Sequence, residues 1–324
     1  MPATTISQRR PRLRRSDCSG PGLRRARRGR GFLYTDQGGA RVGDEEVLER
    51  VRSLAIPPAW KDVWICSDPW GHLQATGIDA AGRKQYLYHP RWRERRDQEK
   101  FTRMEHFARS LPGLRRALAA DLEGTKPTRE AVLACEAIVF DYPGKGGVRR
   151  RHQIEDPLSG DLVRALRRRR GGPPELLAYR QGRQWRGLRS VDINEYLKRH
   201  LGEKFSAKDF RTWNATVLAA VSVGADAPLA ASKTARKRAV NRAVRGVSEM
   251  LGNTPAVARR SYIDPRVFDR YLSGWTIAGA LGRLGEIDVA DSRDRARLER
   301  AVLDLLDDAE DSAALRRAPA AKTA

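Results

Sequence analysis

Three side chains stand where phosphate chemistry could be done. Lys145 sits in the run Pro143-Gly144-Lys145-Gly146-Gly147, between two segments that alternate like strands, so its ammonium rides at a hairpin tip. A finger of this shape can enter a DNA groove and hold the ammonium against a phosphate oxygen. Arg211 lies near the start of a helix whose Phe210, Trp213, Val217 and Val221 recur at core spacing. Asn253 follows Leu251-Gly252, and Tyr262 lies nine residues further on, behind Arg259-Arg260-Ser261. Each has an ordinary structural reading too: a solvated turn lysine, a surface arginine, a half-core tyrosine.

The elements that must carry these residues follow from periodicity. Gly252 closes one helix, Ala231 to Leu251, and Thr254 with Pro255 opens the next. Val191 to His200 and Ala207 to Val223 read as further helices, and Glu136 to Tyr142 with Val148 to Ile154 as the hairpin strands. Glu99 to Ser110 and Gly113 to Leu122 read as two helices broken at Pro112-Gly113. Beyond Gly274 the composition turns to Ala, Asp and Arg, predicting a marginal helix at Asp294 to Leu306 in a loose tail. Between Gly31 and Arg95 short β runs alternate with turns, around one helix at Asp44 to Leu54.

The expected fold class is α+β. A basic flexible arm (1–30) precedes a small β-rich domain (31–95), a mainly helical domain with a β-hairpin (96–274) and a C-terminal tail (275–324). The arm rests on ten Arg against a single acid, Asp17.

Charge decides the partner. The 324 residues carry 63 Lys and Arg against 40 Asp and Glu, a net +23, and 52 of those cations are Arg, whose planar fork suits phosphate. A polyanion is expected. No apolar run approaches the ~20 residues of a membrane span, and no apolar stretch follows the N-terminal arginine pairs as an export signal would require. Cys18, Cys66 and Cys135 lie far apart, without the spacing of a zinc site or a disulfide framework. Gly144-Lys145 lacks the earlier glycine of a phosphate loop, where Val139 stands, and no metalloprotease or hydrolase motif appears. No cofactor and no metal are expected.

Longer blocks carry a resemblance. Leu54-Ala55-Ile56-Pro57-Pro58-Ala59-Trp60, Val63-Trp64-Ile65-Cys66, Gly71 to Gly77, Gly82 to Tyr86 and Tyr88-His89-Pro90-Arg91-Trp92, followed by Lys208 to Trp213 and Leu251 to Tyr262, resemble type IB DNA topoisomerases of the bacterial, poxvirus-like kind. The resemblance spans about residues 22 to 274. It implies an N-terminal DNA-clamping domain, a catalytic domain, and strand nicking through a 3′-phosphotyrosyl bond. Tyr262 matches the nucleophile, Arg211 the second of two phosphate-clamping arginines, Lys145 the general acid, and Asn253 a position that is His in poxvirus-like members. Lys208 matches a near-site phosphate contact, and Gln85, Tyr86 and Tyr88 match clamp residues that touch DNA. The partner implied is duplex DNA, held by a monomer in the cytoplasm at the nucleoid.

One block of the pattern is missing. Where family members carry several dozen residues, including the first clamping arginine, Cys135 runs straight into Glu136. No arginine can be carried over to that position, which implies impaired catalysis and uncovered apolar faces. A degenerate, non-catalytic DNA-binding protein is the main alternative. Tyrosine recombinases share the Arg, Lys and Tyr chemistry but usually carry His where Lys208 stands, and they lack the clamp blocks.

Overall fold

The computed structural model describes residues 11–122, 140–143, 149–152, 157–226, 232–284 and 292–317. They fall into two units, Met1–Lys100 and Phe101–Ala324.

The first unit is built on an antiparallel sheet in the order β2-β1-β3-β4-β5: β1 (Leu23–Arg28), β2 (Gly31–Thr35), β3 (Lys61–Ile65), β4 (Leu73–Ile78) and β5 (Lys84–Tyr88). Helix α1 (Glu45–Ser53) starts at Asp44, whose carboxylate accepts from the backbone N–H groups of Glu46 and Val47. It lays Val51 onto Leu23, Val63, Ile65 and Ala75. The opposite face buries Trp64, Cys66 and Leu73 against Cys18 and Tyr88. Chain 16–22 reaches that face: Ser16 bonds to His72 and Leu73, and the Trp64 indole donates to Gly20 O. Gly22 is required here, since a Cβ would stand 2.2 Å from Trp64 Nε1.

The flexible arm expected over 1–30 is therefore corrected for its second half. Leu23–Arg28 pairs with both β2 and β3, inside the sheet. Its arginines are structural as well as basic: Arg25 donates to Ile56 O, Pro57 O and Trp60 O at 3.1, 3.0 and 2.8 Å, closing the loop before β3. Charge density hid a strand whose inward Leu23 is its one fully apolar anchor.

Helix α2 (Pro90–Leu122) runs unbroken through Pro112, correcting the expected pair of helices. Proline there removes one backbone bond, but Phe107, Leu111 and Leu114 are buried on both sides of it and hold the helix together. Next come the paired strands β6 (Phe140–Pro143) and β7 (Arg149–His152), α3 (Pro157–Arg168), and the hairpin β8 (Ala178–Gln181) and β9 (Gln184–Gly187). Leu162 and Leu166 of α3 make a satellite core with Tyr179 and Trp185.

The main core of the second unit gathers α4 (Ser190–Leu201), α5 (Ala207–Asp226), α6 (Lys233–Leu251), α7 (Pro255–Ser261), α8 (Pro265–Leu272), α9 (Ala278–Leu284) and α10 (Ser292–Leu306). The tail expected after Gly274 is corrected. Leu298, Ala301, Val302 and Leu305 of α10 are buried in this core, and β10 (Trp275–Thr276) pairs with β11 (Arg316–Arg317). Both carboxylate oxygens of Glu299, also buried, accept from Arg115 Nη2, at 2.8 and 2.9 Å. The junction Cys135-Glu136 lies outside the described residues.

Candidate active site

The site is set by three helix ends. At the first, α5 begins with a reciprocal cap: Ser206 N and Oγ donate to Asp209 Oδ2 at 2.8 and 3.0 Å, while Asp209 N donates to Ser206 O. Arg103 of α2 pairs with the same carboxylate at 3.1 Å. This fixes the first turn, with Trp213 and Val217 buried, Phe210 and Val221 packed beside them, Lys208 exposed and Arg211 half-buried.

At the second, α6 closes in a Schellman turn. Gly252 takes the left-handed conformation (φ 63°), Gly252 N donates to Glu249 O, and Asn253 N donates to Ser248 O at 3.0 Å. The carbonyl of Leu251 is left over, and the Arg211 guanidinium donates to it. A cation at the negative end of a helix is favourable in its own right.

At the third, Thr254 caps α7 with Pro255 in its first turn, and the helix ends after seven residues at Tyr262. Tyr262 leaves helical geometry at φ −132°, with its N–H still donating to Ala258 O. The guanidinium carbon of Arg211 lies 5.1 Å from the centre of the Tyr262 ring, within cation–π range. Arg211 therefore touches both the end of α6 and the tyrosine nine residues beyond Asn253.

Two buried donors in this corner have no partner among the described residues, Arg211 Nε and Asn253 Nδ2. The arginine by itself would say little, because Arg103, Arg169 and Arg270 also leave Nε unmatched and Arg115 leaves Nη1. Unmatched neutral donors recur too, at Trp213 Nε1 and Tyr271 Oη as well as at the Asn253 amide. An unmatched buried donor costs free energy, and the one on Asn253 lies two residues past the carbonyl that Arg211 holds.

Other expected site residues are less closely gathered. Lys145 lies outside the described residues; the strands on either side of it in sequence, β6 and β7, pair with Pro143 opposite Arg149. On β5, Tyr86 and Tyr88 stack with ring centres 6.2 Å apart, Lys84 lies over Tyr86, and Tyr86 is 45% exposed. Gln85 does not join them. Strand alternation turns it to the other face, where its amide donates to Asp79 Oδ2 at 2.8 Å. That carboxylate is held below its ordinary pKa, chiefly by the backbone N–H of Arg83. The sequence places three consecutive polar and aromatic residues together, and the period of two separates them.

Thr216 and Asp264 went unremarked in the sequence. Thr216, 1% exposed on α5, accepts from Asp264 N at 3.1 Å and lies 3.4 Å from Tyr262 O. Asp264 caps α8 and pairs with Arg266, which also binds Glu105 at 2.6 Å. Burial works against the Arg266 charge, but these two carboxylates outweigh it and raise its pKa. The signal available was a threonine among Ala and Val on the inward side of the Arg211 helix. Among the described residues, no three His, Cys, Asp or Glu are grouped to hold a metal, and no helix is long and apolar enough to cross a membrane.

Comparison with known proteins agrees with this division of the chain. Residues 31–79 match the family model for the bacterial DNA topoisomerase IB N-terminal domain, and residues 131–273 match that for the eukaryotic DNA topoisomerase I catalytic core. A DNA topoisomerase 1B of Acanthamoeba polyphaga mimivirus is 25% identical over 288 residues, covering 75% of this chain and 85% of the relative. The aligned length exceeds three quarters of 324 residues, so the relative carries residues with no counterpart here. Strand β1 precedes the first matched segment, and α9 and α10 follow the second.

Proposed function

We propose, on the premise that this chain belongs to the type IB DNA topoisomerase family, that it relaxes supercoiled duplex DNA by transesterification through Tyr262. The phenolic oxygen attacks the scissile phosphorus and loses its proton to water. A bond from Tyr262 to the 3′-phosphate forms as the bond to the 5′-oxygen breaks. The departing oxygen takes a proton from Lys145, and the freed end swivels before attacking back. One phosphodiester replaces another, so the step is nearly balanced and needs no nucleotide hydrolysis.

The observation that carries this reading is the corner itself: a tyrosine under a guanidinium whose Nε, like the amide of Asn253 two residues past the carbonyl it holds, has no partner among the described residues. A pentacoordinate phosphorane has nonbridging oxygens that Arg211 and Asn253 would satisfy, with charge from the first and a neutral hydrogen bond from the second. Lys208, exposed three residues ahead of Arg211, would hold a neighbouring phosphate. Tyr86 and Tyr88 would meet the duplex, acting as part of a monomer in the cytoplasm.

The first clamping arginine of the family pattern has no match in this sequence, which favours a slow enzyme. The test is relaxation of a supercoiled plasmid in EDTA without ATP, comparing the wild type with Tyr262→Phe. Slow relaxation lost in the variant supports the proposal. Salt-dependent DNA binding with no relaxation by either protein would support the alternative, a non-catalytic duplex-binding protein.

A further inference from the structure

We infer that Thr216 is a positioning residue for the nucleophile, setting Tyr262 against Arg211 through the α5 backbone. The inference rests on the proposed role of Tyr262. Tyr262 belongs to a short link, Tyr262-Ile263-Asp264, between the seven-residue α7 and the eight-residue α8. Short helices give such a link little rigidity of their own. Tertiary contacts must therefore locate it. Ile263 supplies one, being fully buried. Thr216 supplies a directional one. Its hydroxyl accepts the Asp264 N–H at 3.1 Å, and its single proton is shared between Thr212 O at 3.1 Å and Tyr262 O at 3.4 Å.

The hydroxyl thus brackets Ile263, holding one peptide group on each side of it. Thr216 stands five residues after Arg211 on one continuous helix, a fixed rise of about 7.5 Å along the axis. The guanidinium that would clamp the phosphate and the hydroxyl that places the attacking residue are consequently mounted on the same rigid element. A second route reinforces it: Asp264, whose N–H Thr216 receives, is 1% exposed and ties Arg266 and Glu105 to the same link. Displacements of about 1 Å at an attacking group can cost on the order of 10²-fold in rate, so a bond that fixes the link acts on the reaction without touching DNA.

The hydroxyl can be isolated from packing with two comparisons. Thr216→Val keeps the volume and removes the oxygen. Thr216→Ser and Thr216→Ala both lose the buried methyl and differ only in the hydroxyl, and they decide the matter if the valine variant does not fold. Full-length proteins are compared for the single-turnover rate of covalent adduct formation on an oligonucleotide that traps the nicked state. Duplex affinity and melting temperature are measured alongside.

The expected result is a rate about 10- to 100-fold lower in Thr216→Val than in the wild type, with affinity within about twofold. Thr216→Ser should retain most of the rate and exceed Thr216→Ala by a similar factor, although both lose packing. Rates that follow melting temperature instead, with Ser as slow as Ala, would overturn the positioning role, as would a wild-type rate in Thr216→Val. A wild-type protein that forms no adduct at all would overturn the Tyr262 reading, and this inference with it. The two failures are therefore distinguishable.

Discussion

Arg25 and Arg211 are both half-buried arginines donating to backbone carbonyls, yet they sit in contrasting surroundings. In the sheet unit, Arg25 fills three carbonyls and Arg50 reaches Gln74 Oε1 at 2.9 Å and Cys66 O at 2.7 Å. Burial lowers the pKa of both, and their carbonyl partners offset its cost. In the helical unit, Arg211 spends one terminal nitrogen on Leu251 O, faces a tyrosine ring, and leaves Nε without a partner among the described residues, as Asn253 leaves Nδ2. The same side chain makes three carbonyl bonds in one unit and, in the other, one, with a nitrogen left without a partner among the described residues. What separates them is the polar accounting around them, since burial alone is similar.

The comparison breaks most sharply at Tyr262. Tyr262→Phe should remove the covalent adduct altogether while leaving duplex affinity nearly unchanged, since the nucleophile contributes little to binding. The check is adduct trapping on a nicked oligonucleotide. An adduct that survives the substitution would mean that the corner is not the site. Arg211→Ala should follow, with a loss on the order of 10³- to 10⁵-fold in cleavage rate if it clamps the phosphate, and Asn253→Ala with about 10²- to 10³-fold.

Stability should run the other way. Arg25→Ala strands three carbonyls and should destabilise the sheet unit by about 2 kcal/mol, read from denaturant unfolding. Asn253→Ala removes a buried donor that has no partner among the described residues and should leave unfolding unchanged or slightly raise the midpoint. If Asn253→Ala destabilised as much as Arg25→Ala, its amide would be structural and the contrast between the two units would fail.

How much of this was legible in the sequence differs between the units for the same reason. The corner is made of local punctuation, Gly252 for a left-handed turn and Thr254-Pro255 for a helix start, so the spacing from Asn253 to Tyr262 was readable. Arg211 could be placed on its helix, but its contact with Leu251 O joins residues forty apart, which no periodicity reveals. Strand β1 was hidden because Arg24, Arg25, Arg27 and Arg28 read as a solvated charge run. The C-terminal helix was underrated although Leu298, Val302 and Leu305 already showed core spacing, because its many charges dominated the reading. Tertiary context overrode composition in both places.

Salt sharpens the same distinction between occupied and available cations. With ~6 to 10 phosphate contacts, duplex affinity should fall about 10³- to 10⁵-fold between 50 and 200 mM salt. Lys208→Gln should reduce the logarithmic salt slope by about one, as expected for a phosphate contact. Arg25, occupied by carbonyls, should leave the slope unaltered when replaced in a variant that remains folded. A flat salt response of the wild type would contradict a phosphate-dominated interface.

The smallest effect expected lies in the unit whose donors are satisfied, and it concerns an acceptor. His72 Nδ1 receives the Ser16 N–H at 3.0 Å, part of the set of bonds that holds the chain before β1 on the sheet. Burial lowers the His72 pKa, and the nearby charge of Arg15 lowers it further. A protonated imidazole has no lone pair to accept that N–H, so the geometry and the direction of the shift agree. The sign follows from proton counting. An unfolded histidine titrates near 6.5 and binds more protons than the folded one, so this contribution is complete above that pH and is lost as pH falls through it toward the lower folded pKa. Carboxylates titrate below this window, which leaves histidine exposed to measurement between about pH 7 and 5.5. The wild type should lose a few degrees of melting temperature across that range, and cleavage within residues 11–22 by a protease active at both pH values should speed up. His89 shifts in the same direction, so His72→Asn should flatten the profile only in part. An unchanged profile in that variant would show that the Ser16 bond does not govern the acid response.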